Sequence, residues 1–197
     1  MFLISVFSPK SNLHSSNNQD TKDDRDILRD VAYKTTELHL VSDYTIECLL
    51  TIGHMGQVPD FPCLSKLRSF YFSYDSWKYV TSVLDKSPQL ETIVFQEGLY
   101  HRCLFSKPPQ NESLLPFSCN AKVIEVNDIC GYDGSSLLLL GHLLKNARVL
   151  KKLIVRKCHG FDDMEEARQL SKDLLMLPRA SSDCSMLVLN YKGVTSS

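Results

Sequence analysis

The chain has 197 residues, of which 43% are hydrophobic and 23% are charged, and its formal net charge at pH 7 is −1. This length and composition are those of a soluble globular chain of one domain or two small ones. Lysine and arginine are most concentrated within residues 148–157. No neighbouring aromatic side chains are available there for bases to stack on, and we interpret this stretch as a solvated sheet edge. No apolar run reaches the ~20 residues of a membrane span. The sequence therefore predicts neither a nucleic-acid partner nor a membrane partner.

The N-terminal stretch 1–25 divides into an apolar part and a polar part. Met1–Phe7 is apolar but lacks the basic flank and the small-residue cleavage site of a signal peptide, so we interpret it as a repeat strand severed from its predecessor. The following stretch, 8–25, is polar and has no apolar period, which predicts a mobile surface loop. The stretch 1–25 is therefore expected to hold one severed strand and a mobile polar loop.

A six-residue strand pattern recurs along the chain, with apolar residues at its positions 1, 4 and 6. The copies are TTELHL (35–40, the weakest), LRSFYF (67–72), LETIVF (90–95), AKVIEV (121–126) and LKKLIV (150–155). The intervals between their first positions are unequal, and the second of them is the shortest. A constant strand pattern that returns at irregular intervals, on the order of 20 to 30 residues, is typical of divergent leucine-rich repeats.

Helical stretches are predicted between these strands. They lie at 43–50, 76–85, 135–144 and from 163 onward. The stretch around 137–144 is almost pure leucine, so Leu138 and Leu139 are expected on its exposed side. The proline-containing link 98–117 predicts a loop at a subdomain boundary, and Met186–Leu189 predicts a terminal strand.

A strand, a crossover helix and a parallel strand connect with a right-handed sense. The sequence therefore predicts an α/β fold, a leucine-rich-repeat solenoid with a curved parallel sheet, helices on its convex side and a cap at its end. Positions 1, 4 and 6 should face the helices and be buried together, as listed here: Phe70, Phe72, Leu90, Ile93, Phe95, Ile124, Val126, Leu153 and Val155. Positions 3, 5 and 7 should project from the concave face. The candidate partner-binding residues lie there: Tyr71, Val94, Glu125, Ile154 and Arg156.

No set of residues in the sequence indicates a catalytic site, a cofactor site or a metal site. Neither Cys158 with His159 nor His101 with Cys103 has a second ligand pair at zinc-site spacing. The glycine-containing stretch 131–136 lacks the lysine of a phosphate-binding loop, and no nucleophile elbow is present. The seven cysteines form no C-x-x-C pair, which favours reduced thiols and a cytoplasmic or nuclear location. The sequence predicts a protein that is not an enzyme and binds no cofactor or metal.

Three segments carry a family resemblance: SPQLETI (87–93), KNARVLKKL (145–153) and LLMLPRASSDC (174–184). They resemble the FBD region of plant F-box, FBD and leucine-rich-repeat proteins, and the second and third are specific in combination. The resemblance implies divergent repeats at 26–115 and an FBD-like domain at 116–191. It also implies a role as the substrate-recognition part of a cullin-RING ubiquitin ligase adaptor. No F-box precedes the repeats within these residues, so this chain is not expected to bind the Skp-type adaptor.

Three interpretations of function follow from the sequence. The leading one is a protein-interaction module that binds an unknown protein substrate. The second is a truncated gene-fragment product with no dedicated partner, and a matched binding partner would separate the two. An enzyme is the third, and a cleft with perturbed pKa values would favour it.

Overall fold

The computed structural model describes residues 3–4, 29–41, 58–69, 77–96, 98–99, 117–129, 134–157 and 164–189. Its strands are β1 (Leu3–Ile4), β2 (Glu37–Leu40), β3 (Lys66–Ser69), β4 (Thr92–Phe95), β5 (Val123–Ile129), β6 (Lys152–Lys157) and β7 (Ser185–Leu189). Its helices are α1 (Trp77–Asp85), α2 (Gly134–Asn146) and α3 (Met164–Met176), and residues 29–34 are also helical. None of the described helices combines the length and the apolar character needed to cross a bilayer.

The strands of the described residues lie side by side in one sheet, in sequence order from β1 to β7, and each neighbouring pair is parallel. Parallel neighbours require the chain to return to the same end of the sheet between strands. Described helices make this return between β1 and β2, β3 and β4, β5 and β6, and β6 and β7. The predicted α/β class is therefore confirmed. The strand predicted near the first residue is also present, since Leu3 pairs with Glu37 and Ile4 with Leu38.

The same backbone contacts recur at the start of successive strands. The carbonyl oxygens of Thr36, Ser65, Glu91 and Lys122 each accept two N–H groups from the next unit, at distances between 2.8 and 3.1 Å. These four residues are equivalent, because each lies just before the strand segment that enters the sheet. Neighbouring units of the chain therefore stack on one another in the same way, as tandem repeats do.

One copy of the strand pattern begins earlier than predicted. In the sheet, Leu67 pairs with Ile93, so Leu67 occupies position 4 of its copy and Leu64 occupies position 1. The prediction was misled by Ser69, a polar residue at position 6, which made the apolar stretch after it look like the better match. Phe70 and Phe72, predicted to be buried with the other strand residues, lie outside the described residues.

The correction makes the repeat more regular. The first positions of the copies are now Thr35, Leu64, Leu90, Ala121 and Leu150. Successive copies therefore begin at nearly equal intervals, on the order of 30 residues. All but the threonine are apolar, and the threonine side chain is buried and donates a hydrogen bond to the carbonyl of Val31 at 2.7 Å. A polar residue is accepted at this position because its hydroxyl is satisfied locally.

One face of the sheet forms the hydrophobic core with the helices. Every described strand residue that was predicted to face the helices is at most 1% exposed: Leu90, Ile93, Phe95, Ile124, Val126, Leu153 and Val155. The helix α1 adds Trp77, Val80, Val83 and Leu84 to the same core. The register predicted for the described strands β4, β5 and β6 is therefore confirmed.

The leucine-rich helix α2 buries a wider stripe than predicted. Leu138 is 47% exposed, as expected, but Leu139 is fully buried. The prediction for Leu139 was wrong because the buried stripe consists of two adjacent pairs one helical turn apart: Leu139, Leu140, Leu143 and Leu144. A run of identical leucines leaves no contrast between faces, so its orientation is decided by the sheet against which it packs.

Ser69 is a buried polar residue at a position that is apolar in the neighbouring strands, where Leu40 and Phe95 occupy it. Its hydroxyl has no hydrogen-bond partner among the described residues. We expect Ser69→Ala to raise the free energy of unfolding by about 1 kcal/mol in urea denaturation, because it removes an unsatisfied buried group. The matched control is Ser65→Ala, which removes a hydroxyl that donates to the carbonyl of Thr36 at 3.0 Å and should lower that free energy. Equal losses in the two variants would contradict this explanation.

Candidate functional site

The face of the sheet away from the core, which we call the open face, carries the side chains at positions 3, 5 and 7 of each copy. Alternate residues of a strand point to opposite sides, so these positions face away from the helices. Among the described residues they are Glu37, His39 and Val41; Lys66 and Arg68; Thr92, Val94 and Gln96; Val123, Glu125 and Asn127; Lys152, Ile154 and Arg156; Ser185, Leu187 and Leu189. All of them except Val94 are at least partly exposed.

The structure places four of the five predicted partner-binding residues on the open face. Val94, Glu125 and Ile154 are direct neighbours in register across β4, β5 and β6, and Arg156 lies one pleat further along β6. Val94 is only 5% exposed, so it contributes little accessible surface. Their part in binding stays a prediction.

Tyr71 lies outside the described residues. The prediction had put Tyr71 beside Val94, but the observed register gives that place to Arg68. Sequence reasoning missed Arg68 because the copy that contains it was aligned too late in the chain. Beginning that copy at Leu64 would have identified Arg68 as its position 5.

A carboxylate surrounded by basic side chains lies at the β2–β3 end of the open face. Glu37 Oε1 accepts a hydrogen bond from Arg68 Nε at 2.8 Å and lies 3.2 Å from His39 Nε2 and 3.6 Å from Lys66 Nζ. The hydrogen bond from Arg68 holds the pKa of Glu37 below its ordinary value; burial opposes this effect, and His39 and Lys66 reinforce it. Lys66 and Arg68 bring two positive charges to this site, and Glu37 brings one negative charge. We call these four residues the basic cluster.

A second polar network spans β4, β5 and β6, and its charges compensate one another. Arg156 Nη1 donates to Glu125 Oε1 and, at 2.8 Å, to Asn127 Oδ1. Asn127 Nδ2 donates in turn to Gln96 Oε1 at 3.5 Å. The network ties three neighbouring strands together and leaves this part of the face polar without a net charge.

Apolar side chains lie next to this network, on β5 and toward β7. Val123 and Ile154 are partly exposed, and Leu187, which pairs with Ile154 in register, is 41% exposed. Partly exposed aliphatic side chains inside a polar and charged border are the usual composition of a protein-binding surface. The open face therefore offers apolar anchors, a compensated polar network and a basic cluster in which, among the described residues, positive side chains outnumber the carboxylate.

A cavity of about 480 Å³ lies elsewhere, lined by Asp85, Phe117, Ser118, Cys119, Asn120, Asn146 and Arg148. Two of its polar side chains accept backbone N–H groups: Asp85 Oδ1 accepts from Ser118, and Asn146 Oδ1 accepts from Phe117. Burial raises the pKa of the Cys119 thiol to about 11, so this thiol is protonated at neutral pH and is a poor nucleophile. The geometry of this cavity explains how a connecting segment is held and suggests no reaction.

We found no group of three or more potential metal ligands among the described residues. The two cysteine–histidine pairs considered in the sequence, His101 with Cys103 and Cys158 with His159, lie outside those residues.

The depressed pKa of Glu37 predicts an acid-sensitive contribution to stability. A carboxylate whose pKa is lower in the folded state stabilises the fold above its unfolded pKa, and this stabilisation is lost as the pH falls through the folded value. We therefore expect Glu37→Gln to lower the free energy of unfolding at pH 7 by about 1 kcal/mol and to reduce its fall between pH 7 and pH 3. Urea denaturation at both pH values measures this.

The matched control for this prediction is Glu91→Gln. Glu91 is bound by Lys122 at 2.6 Å, which also lowers its pKa, but both side chains are at least half exposed. Solvent screens such a pair, so the control should change the pH dependence less. A larger change in the control would show that the basic cluster does not stabilise the sheet.

Comparison with known proteins finds relatives in Arabidopsis thaliana. An F-box/FBD/LRR-repeat protein is 24% identical over 169 residues, which cover 84% of this chain and 35% of the relative. An FBD-associated F-box protein is 28% identical over 176 residues, 84% of this chain and 36% of the relative. An F-box/LRR-repeat protein is 30% identical over 163 residues, 78% of this chain and 34% of the relative. The chain thus spans about a third of the length of these relatives. No protein-family model and no solved structure matches it.

Proposed function

We propose that this chain, which belongs to the plant F-box/FBD/leucine-rich-repeat family, is a non-enzymatic module that binds a protein substrate through the open face of its sheet. The observation that carries the proposal is the contrast between the two faces. The side chains that face the helices are buried in the hydrophobic core, whereas on the other face Ile154 and Leu187 are partly exposed within a polar border. A surface of this kind suits a partner that brings its own apolar side chains.

The proposal includes a solenoid architecture. Units that stack through the same backbone contacts, at nearly equal intervals along the chain, fit a leucine-rich-repeat solenoid with helices on the convex side. In this scheme residues 1–25 are the N-terminal segment, 26–115 the divergent repeats and 116–191 the FBD-like domain that caps them. Successive repeats then gather side chains from several strands onto one concave surface, where a protein substrate binds.

The family relationship suggests the context in which such a surface works. The names of the relatives combine F-box, FBD and LRR, and the module resembles the substrate-recognition part of a cullin-RING ubiquitin ligase adaptor. The described cysteines, Cys63, Cys119 and Cys184, are free, which fits the reducing cytoplasm or nucleus in which that system operates.

Affinity capture from a plant extract tests this proposal. We expect the immobilised chain to retain a protein that the variant Ile154→Asp with Leu187→Asp does not retain. The variant Leu175→Asp with Met176→Asp, which alters exposed apolar residues of α3, should retain it. We also propose that the Skp-type adaptor is absent from all three samples, because the segments 87–93, 145–153 and 174–184, which carry the family resemblance, resemble the FBD region.

Two results would contradict the proposal in different ways. Retention of the same proteins by all three samples would favour a gene-fragment product with no dedicated partner. Stoichiometric recovery of the Skp-type adaptor would contradict the expectation that this stretch recognises substrate without coupling to the ligase.

A further inference from the structure

The two ion-paired networks of the open face differ in the balance of their charges. Arg156 is paired with Glu125 and also donates to Asn127, in both cases through its Nη1 atom, so its positive charge is balanced by one carboxylate. In the basic cluster, Arg68 uses its Nε atom for Glu37, and no partner of its two Nη atoms is found among the described residues. A guanidinium with free terminal N–H groups can take a second carboxylate in a fork-like geometry.

The exposed fractions of the side chains in the basic cluster also favour binding of a negatively charged group. The side chains of Lys66 and Arg68 are 33% and 30% exposed, whereas that of Glu37 is 14% exposed. The side chains of Lys66 and Arg68 are therefore more accessible to a ligand than the Glu37 carboxylate that pairs with them. A ligand that approaches the β2–β3 end of this face meets positive charge.

We propose that the partner presents an acidic segment to the basic cluster and an apolar side chain to Ile154 and Leu187. This inference rests on the proposed function and adds the chemistry of the substrate. The occupant is a stretch of protein with aspartate or glutamate on one side and leucine-like residues on the other.

The register of the sheet sets the spacing of that segment. Arg68, Val94, Glu125, Ile154 and Leu187 follow one another across β3 to β7. Neighbouring strands are about 4.8 Å apart, so Ile154 lies roughly 14 Å and Leu187 roughly 19 Å from Arg68 across the sheet. An extended peptide advances about 3.4 Å per residue. Its acidic and apolar residues should therefore be about four to six positions apart.

The experiment is a selection of peptides from a random displayed library on the full chain, followed by affinity measurements on the enriched peptides. We expect the enriched sequences to place Asp or Glu about four to six positions from Leu, Ile, Met or Phe. Arg68→Gln with Lys66→Gln should weaken their binding by on the order of tenfold, as the loss of charged hydrogen bonds does. The matched control is Lys152→Gln, which removes a positive charge from the same face on β6 and should change the affinity by less than about twofold.

A further variant separates a ligand-binding role of the basic cluster from a purely structural one. Glu37→Gln removes the negative charge that competes with the peptide, so we expect it to strengthen the binding of acidic peptides by about threefold at low salt. A loss of binding equal to that of the Arg68 and Lys66 variant would show that the cluster only supports the sheet, and would overturn the inference.

The remaining outcomes distinguish this inference from the proposed function. Enriched peptides without acidic residues that still fail to bind Ile154→Asp with Leu187→Asp would overturn the inference and leave the proposed function in place. Peptides indifferent to every substitution on the open face, or no enrichment at all, would contradict both. Stronger competition by a single-stranded RNA than by acidic peptides would assign the basic cluster to phosphate groups and would also overturn the inference.

Discussion

Leu153→Ala is expected to lower the free energy of unfolding by about 3 kcal/mol, whereas Ile154→Ala should lower it by less than about 1 kcal/mol. The two residues are neighbours in β6 and lose similar numbers of carbon atoms. Leu153 is fully buried in the hydrophobic core on the helix side of β6, so its truncation leaves a cavity there. Ile154 lies on the open face, where water can occupy the vacated space. Urea denaturation of both variants under one set of conditions measures the difference.

This pair of variants tests the strand register itself. A one-residue slip would exchange the faces of the whole strand, because side chains alternate with a period of two. Equal losses in the two variants would show that both faces of β6 are packed in solution. A larger loss for Ile154→Ala would reverse the orientation of the sheet and contradict the repeat assignment.

The second large expected effect is a loss of affinity for a partner protein. Ile154→Asp combined with Leu187→Asp should weaken the complex with a captured partner by at least ~2 kcal/mol, about thirtyfold, as the loss of interface anchors does. The matched control is Leu175→Asp with Met176→Asp at the end of α3. Those two side chains are 62% and 83% exposed, so they are more accessible than the anchors but lie outside the open face. Calorimetric titration of the partner into each variant gives the affinities.

Thermal unfolding accompanies this titration, because a charge on the sheet can also affect folding. We expect the midpoint of the anchor variant to stay close to that of the unchanged chain, since neither side chain belongs to the buried core. Equal weakening by the control would place the binding surface on the helix side. A collapsed midpoint in a variant whose folded fraction still binds normally would show that this face is structural.

The strands were predictable where the apolar pattern was complete. The segments 90–95, 121–126 and 150–155 each carry apolar residues at all three inward positions, and β4, β5 and β6 lie within or overlap them. At β3 the inward position 6 is Ser69, and a more apolar stretch follows it, so local hydrophobicity indicated the wrong start. Only pairing with β4 reveals that error, because register is a property of two strands.

The charged groups of the open face were less predictable. Glu125 and Arg156 were both assigned to this face, but they come from different strands and positions, so their ion pair depends on the register between β5 and β6. The basic cluster likewise combines residues from β2 and β3. Its signal is present in the sequence, because TTELHL and LSKLRS carry charged or polar residues at the same two outward positions. The signal becomes visible once the second copy begins at Leu64.

Lysine acetylation of the chain, with and without a bound partner, tests most directly whether the open face is the recognition surface. Lys66 and Lys152 lie on that face, whereas Lys78 and Lys145 are exposed on α1 and α2. Quantitative mass spectrometry gives the rate of modification at each site. We predict that the partner slows the acetylation of Lys66 and Lys152 and leaves that of Lys78 and Lys145 unchanged. Protection of the two helix lysines with unchanged rates on the sheet would contradict recognition through the open face.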